Sequence, residues 1–253
     1  FRYSNALFMS KRPPLIEPIA PIEPHVLSEH GYTRIDPYFW MNQRDSPEVL
    51  KNLEEENDYC SQYFEPLQGL VDGLVKEFDE RINPNDVSTP FILQRITYQI
   101  RQIEGKDYQQ IVRIIGETES VFLDENERAD GHSFYELADW SPSMDDQFLA
   151  ISEDFIGRRK YQIRFRNNQT NEFLADLIED TDGSIVWAND HQTVFYIKKD
   201  PETLREYQVF RHRLGTHSSE DQLVFQEDDE RYYVSISKSL TDKYVMIHCF
   251  SSL

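Results

Sequence analysis

Only two of the 253 residues are cysteine, and neither forms a recognisable cysteine motif. Cys60 and Cys249 lie far apart and form no Cys-x-x-Cys pair, so the sequence carries neither a disulfide framework nor a cysteine zinc site. This favours a reducing compartment, and we expect a cytoplasmic protein. No apolar run approaches the length of a membrane helix, so we expect no membrane partner.

Positive charge is also scarce. The chain has 26 Lys and Arg residues against 46 Asp and Glu residues, which gives a formal net charge of −20. Phosphate backbones would repel such a chain, so we expect no nucleic acid partner. A cationic substrate or partner, such as a basic peptide, is the natural electrostatic complement. Charge that serves only solubility is the alternative.

Glycine is scarce as well, and this bears on catalysis. A serine nucleophile elbow needs the pattern Gly-x-Ser-x-Gly. Of the nine glycines only Gly69 and Gly73 have this spacing, and Val71 stands where the serine is needed. The sequence has no His-Glu-x-x-His, P-loop or Gly-x-Gly-x-x-Gly motif. We therefore predict no catalytic, cofactor-binding or metal-binding residue in this chain, and no cofactor.

Three short patterns allow both a functional and a structural interpretation. His25 and His30 are either a metal pair or structural and solvent-facing histidines. The segment 180–183 resembles a calcium loop, but Ile178 occupies the first ligand position, which favours a simple turn. The acidic run 227–230 is either the tip of a hairpin or an acidic rim that attracts basic peptides.

The first third of the chain predicts an arm followed by helices. Five prolines between residues 13 and 24 exclude helix and favour an extended arm. Residues 30–40 are predicted to form a loop rich in aromatics. A helix is expected to begin near Asp45 or Ser46, because Asp45 and Glu48 fit a capping box.

A second helix is predicted to begin at Pro66 and to run to residue 82. Its apolar residues recur at helical spacing and form one stripe, which needs a partner to cover it. We expect this stripe to be exposed when the chain is alone. The apolar stripe consists of Leu67, Leu70, Val71, Leu74, Val75, Phe78 and Ile82.

After residue 88 the apolar pattern alternates, which predicts short strands. Ile151, Ile197 and Ile247 follow one another at intervals of 46 and 50 residues, each in a similar context. A period of about 40–50 residues with four short strands is typical of propeller blades. We therefore predict a mainly β fold with about three to four blades, in which Trp140 and Trp187 occupy equivalent positions.

An arc of three to four blades leaves strand edges open, whereas propellers usually close a ring of 4–8 blades. We therefore expect the chain to be a fragment of a longer polypeptide. Three parts are predicted: residues 1–11 as a start segment or an artificial extension, residues 12–87 as the arm with its two helices, and residues 88–253 as the incomplete propeller.

Several long motifs resemble one family. Pro13-Pro14, residues 30–40 and residues 47–57 are similar to the opening of the prolyl oligopeptidase family of serine peptidases. Residues 152–161, 183–190 and 199–216 most resemble its oligopeptidase B (protease II) branch. The resemblance covers about residues 12–250. The first blade departs from the family pattern over residues 91–98, and Thr170-Asn171-Glu172 stands where a Thr-Gly-Glu turn is usual.

The resemblance implies a seven-bladed propeller and an α/β-hydrolase domain that carries a Ser-Asp-His triad and follows the propeller. It also implies that residues 12–82 pack on the hydrolase domain. Enzymes of this branch cleave short peptides after Lys or Arg, and the propeller limits substrate size. The chain alone is therefore expected to be inactive.

Two alternatives to an active serine oligopeptidase remain open. In one, the chain belongs to a propeller-only protein that binds peptides, and in the other, to a catalytically dead scaffold member of the family. The sequence downstream of Leu253 distinguishes them, because an active member needs an intact serine elbow followed by Asp and His.

Overall fold

The computed structural model describes residues 15–251. The chain divides into two compact units between Asn83 and Pro84. The predicted start segment 1–11 and the first two prolines of the arm lie outside the described residues.

The first unit opens with an extended segment that has no regular secondary structure from residue 15 to residue 24. A hairpin follows, formed by β1 (His25–Glu29) and β2 (Tyr32–Asp36). Our prediction of a loop from residue 30 is therefore wrong for β2. The strands turn tightly because His30 and Gly31 both have positive φ, at 51° and 78°.

Two helices complete this unit, α1 (Pro47–Phe64) and α2 (Gln68–Asp79). Ser46 rather than Asp45 caps α1, since its Oγ accepts a hydrogen bond from the Val49 N–H at 3.2 Å. Residues 65–67 form a single 3₁₀ turn, so α2 begins two residues after the proline that we expected to open it.

The apolar stripe of the second helix is exposed, as predicted. Its seven side chains retain between 37% and 64% of their accessible surface. Apolar side chains gain free energy when they leave water, so a helix with such a face needs a partner in the functional protein.

The second unit confirms the partial propeller. Four groups of antiparallel strands follow one another, within each group the neighbouring strands are consecutive in sequence, and we call these groups blades 1 to 4. Blades 2 and 3 join into one eight-stranded sheet through a single pairing, Thr181 with Lys198. Blade 1 contains β3 (Phe91–Leu93), β4 (Ile96–Gln102), β5 (Gln109–Ile115) and β6 (Thr118–Asp124). Blade 2 contains β7 (Glu136–Pro142), β8 (Phe148–Asp154), β9 (Tyr161–Asn167) and β10 (Phe173–Thr181). Blade 3 contains β11 (Val186–Trp187), β12 (Thr193–Lys199), β13 (Glu206–Arg213) and β14 (Gln222–Gln226), and blade 4 consists of β15 (Tyr233–Lys238) and β16 (Val245–Phe250).

A short helix, α3 (Glu125–Ala129), lies between blades 1 and 2. The core of this unit lies between successive blades rather than within one of them. One cluster of buried side chains joins blades 1 and 2, a second joins blades 2 and 3, and a third joins blades 3 and 4. Both faces of a middle blade are therefore apolar.

The repeat of isoleucines is correct for the strands but wrong for the register. Equivalent hairpins join the first two strands of blades 2, 3 and 4, and a residue with φ near +60° stands at the same place in each. Counted from these hairpins, Ile151 corresponds to Tyr196 and Ile247, and Ile197 is one residue further along. Ile151 accordingly packs between blades 1 and 2, whereas Ile197 packs between blades 3 and 4.

The two tryptophans are not equivalent either. Trp140 pairs with Ile151, and Trp187 pairs with Val194, two residues nearer to its hairpin. An offset of two residues keeps both rings on the face that points to the preceding blade. The predicted turn at Asn171 is confirmed, with φ at 61°.

Candidate functional site

The first strands of the four blades line one concave surface. Each of β3, β7, β11 and β15 pairs with only one other described strand, and we call them the inner strands. They surround a cavity of about 460 Å³. Its lining consists of Ile92, Leu93, Gln94, Ser141, Met144, Ile185, Val186, Trp187, Ile236, Ser237, Lys238 and Asp242.

Side chains tie each inner strand to the next one. Gln94 of blade 1 donates to the Pro142 carbonyl of blade 2 at 2.8 Å, and Trp187 of blade 3 donates through Nε1 to the Ser141 carbonyl of blade 2 at 2.9 Å. Lys238 of blade 4 donates to the Trp187 carbonyl. A hydrogen bond fixes direction as well as distance, so these ties set the curvature of the surface.

Lys238 is the cation of this cavity. Its ammonium group also donates to Asn189 Oδ1 at 2.6 Å. Burial lowers the pKa of Lys238, while the carboxylates of Asp242 and Asp190 raise it. The lysine thus holds blade 3 with two bonds and lies near two carboxylates.

A carboxylate makes a further tie between blades 2 and 3. Asp139 accepts backbone hydrogen bonds from Trp140 and from Ile185 of the next blade. Burial, together with a smaller contribution from the charge of Asp182, raises the pKa of Asp139 to about 6, although the two hydrogen bonds oppose the shift. Asp182 itself accepts from the Ser184 N–H at 2.9 Å and from its hydroxyl at 2.7 Å.

A fully buried histidine lies on the outer side of the same pair of blades. His212 Nδ1 lies 2.7 Å from Asp221, and its Nε2 lies 3.0 Å from Asp176 of blade 2. The Tyr196 hydroxyl donates to the other oxygen of Asp221 at 2.9 Å. Carboxylates occupy both ring nitrogens, so neither nitrogen is free to accept a proton from a nucleophile. The group is structural.

The sequence patterns that allowed a functional interpretation occupy structural positions in the fold. Gly69 and Gly73 lie within α2, so they form no strand-to-helix elbow. The His25 ring stacks on Phe39 with centroids 4.0 Å apart. Residues 180 and 181 are the last two residues of β10, and a bend follows at Gly183, so the expected turn begins only after the strand ends. Among residues 15–251 no group of three His, Cys, Asp or Glu side chains is arranged to hold a metal ion.

The acidic run 227–230 was predicted as the tip of a hairpin, and this interpretation is wrong. It connects β14 of blade 3 to β15 of blade 4. Arg205 donates to the backbone carbonyls of Glu227, Asp229 and Tyr232, and Arg231 pairs with the Asp229 carboxylate. Part of the acidic charge is therefore neutralised locally.

The inner-strand ties were not identified from the sequence. Each joins a side chain to a backbone carbonyl in another blade, and every residue has such a carbonyl, so the sequence does not indicate which one accepts.

The described helices include none that is long and apolar enough to cross a membrane.

The geometry above agrees with comparisons to known proteins. The profile described as "Prolyl oligopeptidase, N-terminal beta-propeller domain" matches residues 18–253. The chain belongs to the prolyl oligopeptidase family. Its β strands therefore form part of that family's N-terminal propeller.

Two curated relatives span nearly all of this chain. "Dipeptidyl aminopeptidase BI" from Pseudoxanthomonas mexicana is 35% identical over 99% of the chain, and "Protease 2" from Moraxella lacunata is 31% identical over 92%. The chain spans only 37% and 35% of the lengths of these relatives.

Two solved structures share the fold closely. Oligopeptidase B from Leishmania major superposes with a TM-score of 0.87 at 29% identity, and oligopeptidase B from Trypanosoma brucei with a TM-score of 0.85 at 31% identity. Each covers 94% of this chain and is itself covered to 36%.

Proposed function

We propose that the polypeptide that carries this chain is a serine oligopeptidase that cleaves short peptides after Lys or Arg. The observation that supports this most directly is the fold of the described blades, which resembles oligopeptidase B over 94% of the chain. The net charge of −20 is consistent with cationic substrates. Such a charge raises the local concentration of basic peptides, and salt screens the effect.

The propeller contributes the limit on substrate size. The ties through Gln94, Trp187 and Lys238 hold the inner strands at fixed spacing, so the opening that they surround stays narrow. An extended peptide fits such an opening, and a folded protein does not. The Ser-Asp-His triad lies in a hydrolase domain downstream of this chain, in the same polypeptide.

In this proposal, residues 12–87 pack on the hydrolase domain. The apolar stripe of α2 is exposed in the described residues, and the hydrolase domain covers it. Burial of each large apolar side chain is worth about 1.5–3 kcal/mol, which makes the stripe a strong anchor. We place the enzyme in the cytoplasm, where Cys60 and Cys249 stay reduced; both are free and exposed.

The experiment uses the full polypeptide and two peptides that differ only in Arg or citrulline at the cleavage position. Citrulline keeps the shape of arginine and removes its charge. We expect kcat/KM to fall by at least 100-fold with citrulline, and turnover to stop with a serine-directed inhibitor. Equal cleavage of both peptides would contradict the proposed specificity.

Substrate size is tested with a series of peptides that carry one Arg and increase in length. We expect short peptides to be cleaved and a folded protein with an exposed Arg to be spared. Lys238→Met removes the tie between blades 3 and 4 and should extend cleavage to longer peptides, while Lys243→Met, an exposed lysine in the same hairpin, should not. An unchanged length limit in Lys238→Met would refute the role of this tie.

The relative named a dipeptidyl aminopeptidase favours a second candidate function, the removal of dipeptides from a free N-terminus. Acetylation of the peptide's amine separates the two activities. An endopeptidase cleaves the free and the acetylated peptide alike, whereas a dipeptidyl aminopeptidase cleaves only the free one. A polypeptide with no turnover at all would indicate a propeller-only binding module or a catalytically dead scaffold.

A further inference from the structure

The interface between blades 1 and 2 carries a cluster of arginines, although the chain is strongly acidic. Four arginines meet there around two phenylalanine rings. Arg113 and Arg166 lie over the Phe122 ring at 5.3 and 5.1 Å from its centroid. Arg128 and Arg164 lie over the Phe173 ring at 4.7 and 5.9 Å.

Two of these arginines have acidic partners and two do not. Arg113 pairs with Asp146, and Arg128 forms two hydrogen bonds of 2.7 Å to Glu153. Within residues 15–251, no carboxylate oxygen lies within 4.0 Å of the guanidinium of Arg164 or Arg166. Arg164 and Arg166 therefore have no ion-pair partner among the described residues of this interface.

Arg166 is the unusual member of this group. It is only 9% exposed, and its one hydrogen bond in the described structure joins it to the Phe122 carbonyl at 2.7 Å. Burial lowers the pKa of its guanidinium, and the charges of Arg128 and Arg113 lower it further. An unpaired buried charge is costly, and a partner of opposite charge removes most of that cost.

Hydrogen-bond donors near Arg166 also lack acceptors. Arg113 Nε, Arg166 Nε and the Tyr98 hydroxyl are buried and have no acceptor among the described residues. All three belong to groups that contact the Phe122 ring, since the Tyr98 ring lies 5.3 Å from it. The edge of an aromatic ring is electropositive as well. Buried donors in native proteins almost always have an acceptor.

We propose that the Phe122 ring and the groups around it, Tyr98, Arg113 and Arg166, form a binding site for a small monovalent anion such as chloride. The anion accepts hydrogen bonds from the buried donors and compensates the charge of Arg166. Because Tyr98 and Arg113 belong to blade 1 and Arg166 to blade 2, the bound anion holds the two blades together.

The test is hydrogen exchange of the full polypeptide in sodium chloride and in sodium gluconate at equal ionic strength, since gluconate is a much larger anion than chloride. At a chloride concentration ten times Kd, opening of the site is suppressed about tenfold. We expect about tenfold slower exchange in β6 and β9 and unchanged exchange in β13. Equal exchange in both salts would show that water satisfies these donors and would overturn the proposal.

Variants locate the effect. Arg166→Met keeps the volume and removes the charge, so exchange in β6 and β9 should no longer respond to chloride. Arg101→Met, which removes an arginine paired with Glu119 in blade 1, should retain the full response. A chloride response that survives in Arg166→Met would refute the site.

Crystals of the unaltered polypeptide grown in bromide give a direct answer, even where a variant fails to fold. An anomalous peak within about 3.5 Å of Arg166 Nε supports the site. No peak at that position overturns it. This test does not depend on peptidase activity, so its outcome is independent of the proposed function.

Discussion

A methyl group added at Gly183 is the most informative perturbation of the propeller. Gly183 follows β10 with φ at +107°, a conformation that side chains rarely adopt. A Cβ there would lie 2.7 Å from Ala138 Cβ and 3.2 Å from Tyr161 Cδ2. Ala138 Cβ is attached directly to the backbone of β7, so it cannot move aside without shifting the strand.

Two costs add in Gly183→Ala. A non-glycine residue in a left-handed conformation costs about 1–2 kcal/mol, and overpacking costs about 1–3 kcal/mol more. We expect a loss of about 2–5 kcal/mol in the free energy of unfolding. Gly215→Ala is the matched control, because φ is +84° and no atom lies within 4 Å of its added Cβ. It should lose only about 1–2 kcal/mol.

Urea unfolding followed by tryptophan fluorescence measures both losses. Two of the three tryptophans, Trp140 and Trp187, lie in the blades and report on this unit. The reasoning predicts that Gly183→Ala is less stable than Gly215→Ala by about 1–3 kcal/mol. Equal losses would refute it, because they would show that the backbone conformation alone explains the effect.

Three further predictions concern activity, association and pH. The 253-residue chain alone should not hydrolyse Lys or Arg esters, and turnover blocked by a serine-directed inhibitor would contradict this. It should self-associate through the apolar stripe, and Leu74→Lys with Phe78→Lys should shift the sedimentation profile to monomer, while a variant that sediments like the unaltered chain would exclude the stripe. The folded pKa of Asp139, about 6 against an ordinary 3.8, means that this group's contribution to stability is full below pH 4 and is lost as pH rises through 6. Asp139→Asn should therefore lose less stability than the unaltered chain between pH 4 and pH 7 in urea unfolding, and parallel curves would count against a shifted pKa.

The number of blades could be predicted from the sequence, but the side of the blade on which each residue packs could not. The second strand of a blade lies between two apolar interfaces, so residues on both of its faces are apolar and the alternation disappears. Ile151 and Ile197 therefore looked equivalent in the sequence, although Ile151 faces the preceding blade and Ile197 faces the following one. A shift of one residue changes the face, and only the hairpin geometry reveals it.

The helices show the opposite case. The stripe on α2 was correctly predicted to be exposed, because its apolar residues recur at helical spacing and define one face. The acidic run 227–230 was misassigned, because a connection between blades and a hairpin tip have the same polar composition. The anion site is a product of the fold alone, since it brings together Arg113 and Arg166, 53 positions apart.

The pairing of consecutive strands has a consequence for synthesis of the chain. Every strand pair within a blade joins neighbours in sequence, and the one pairing between blades in residues 15–251 joins Thr181 of β10 to Lys198 of β12. A blade is thus able to form as soon as its last strand has left the ribosome, before the next blade is translated. The buried faces between blades would then be completed in the order of translation, and a pause in translation once residue 181 has left the ribosome would favour completion of blade 2 before blade 3 emerges.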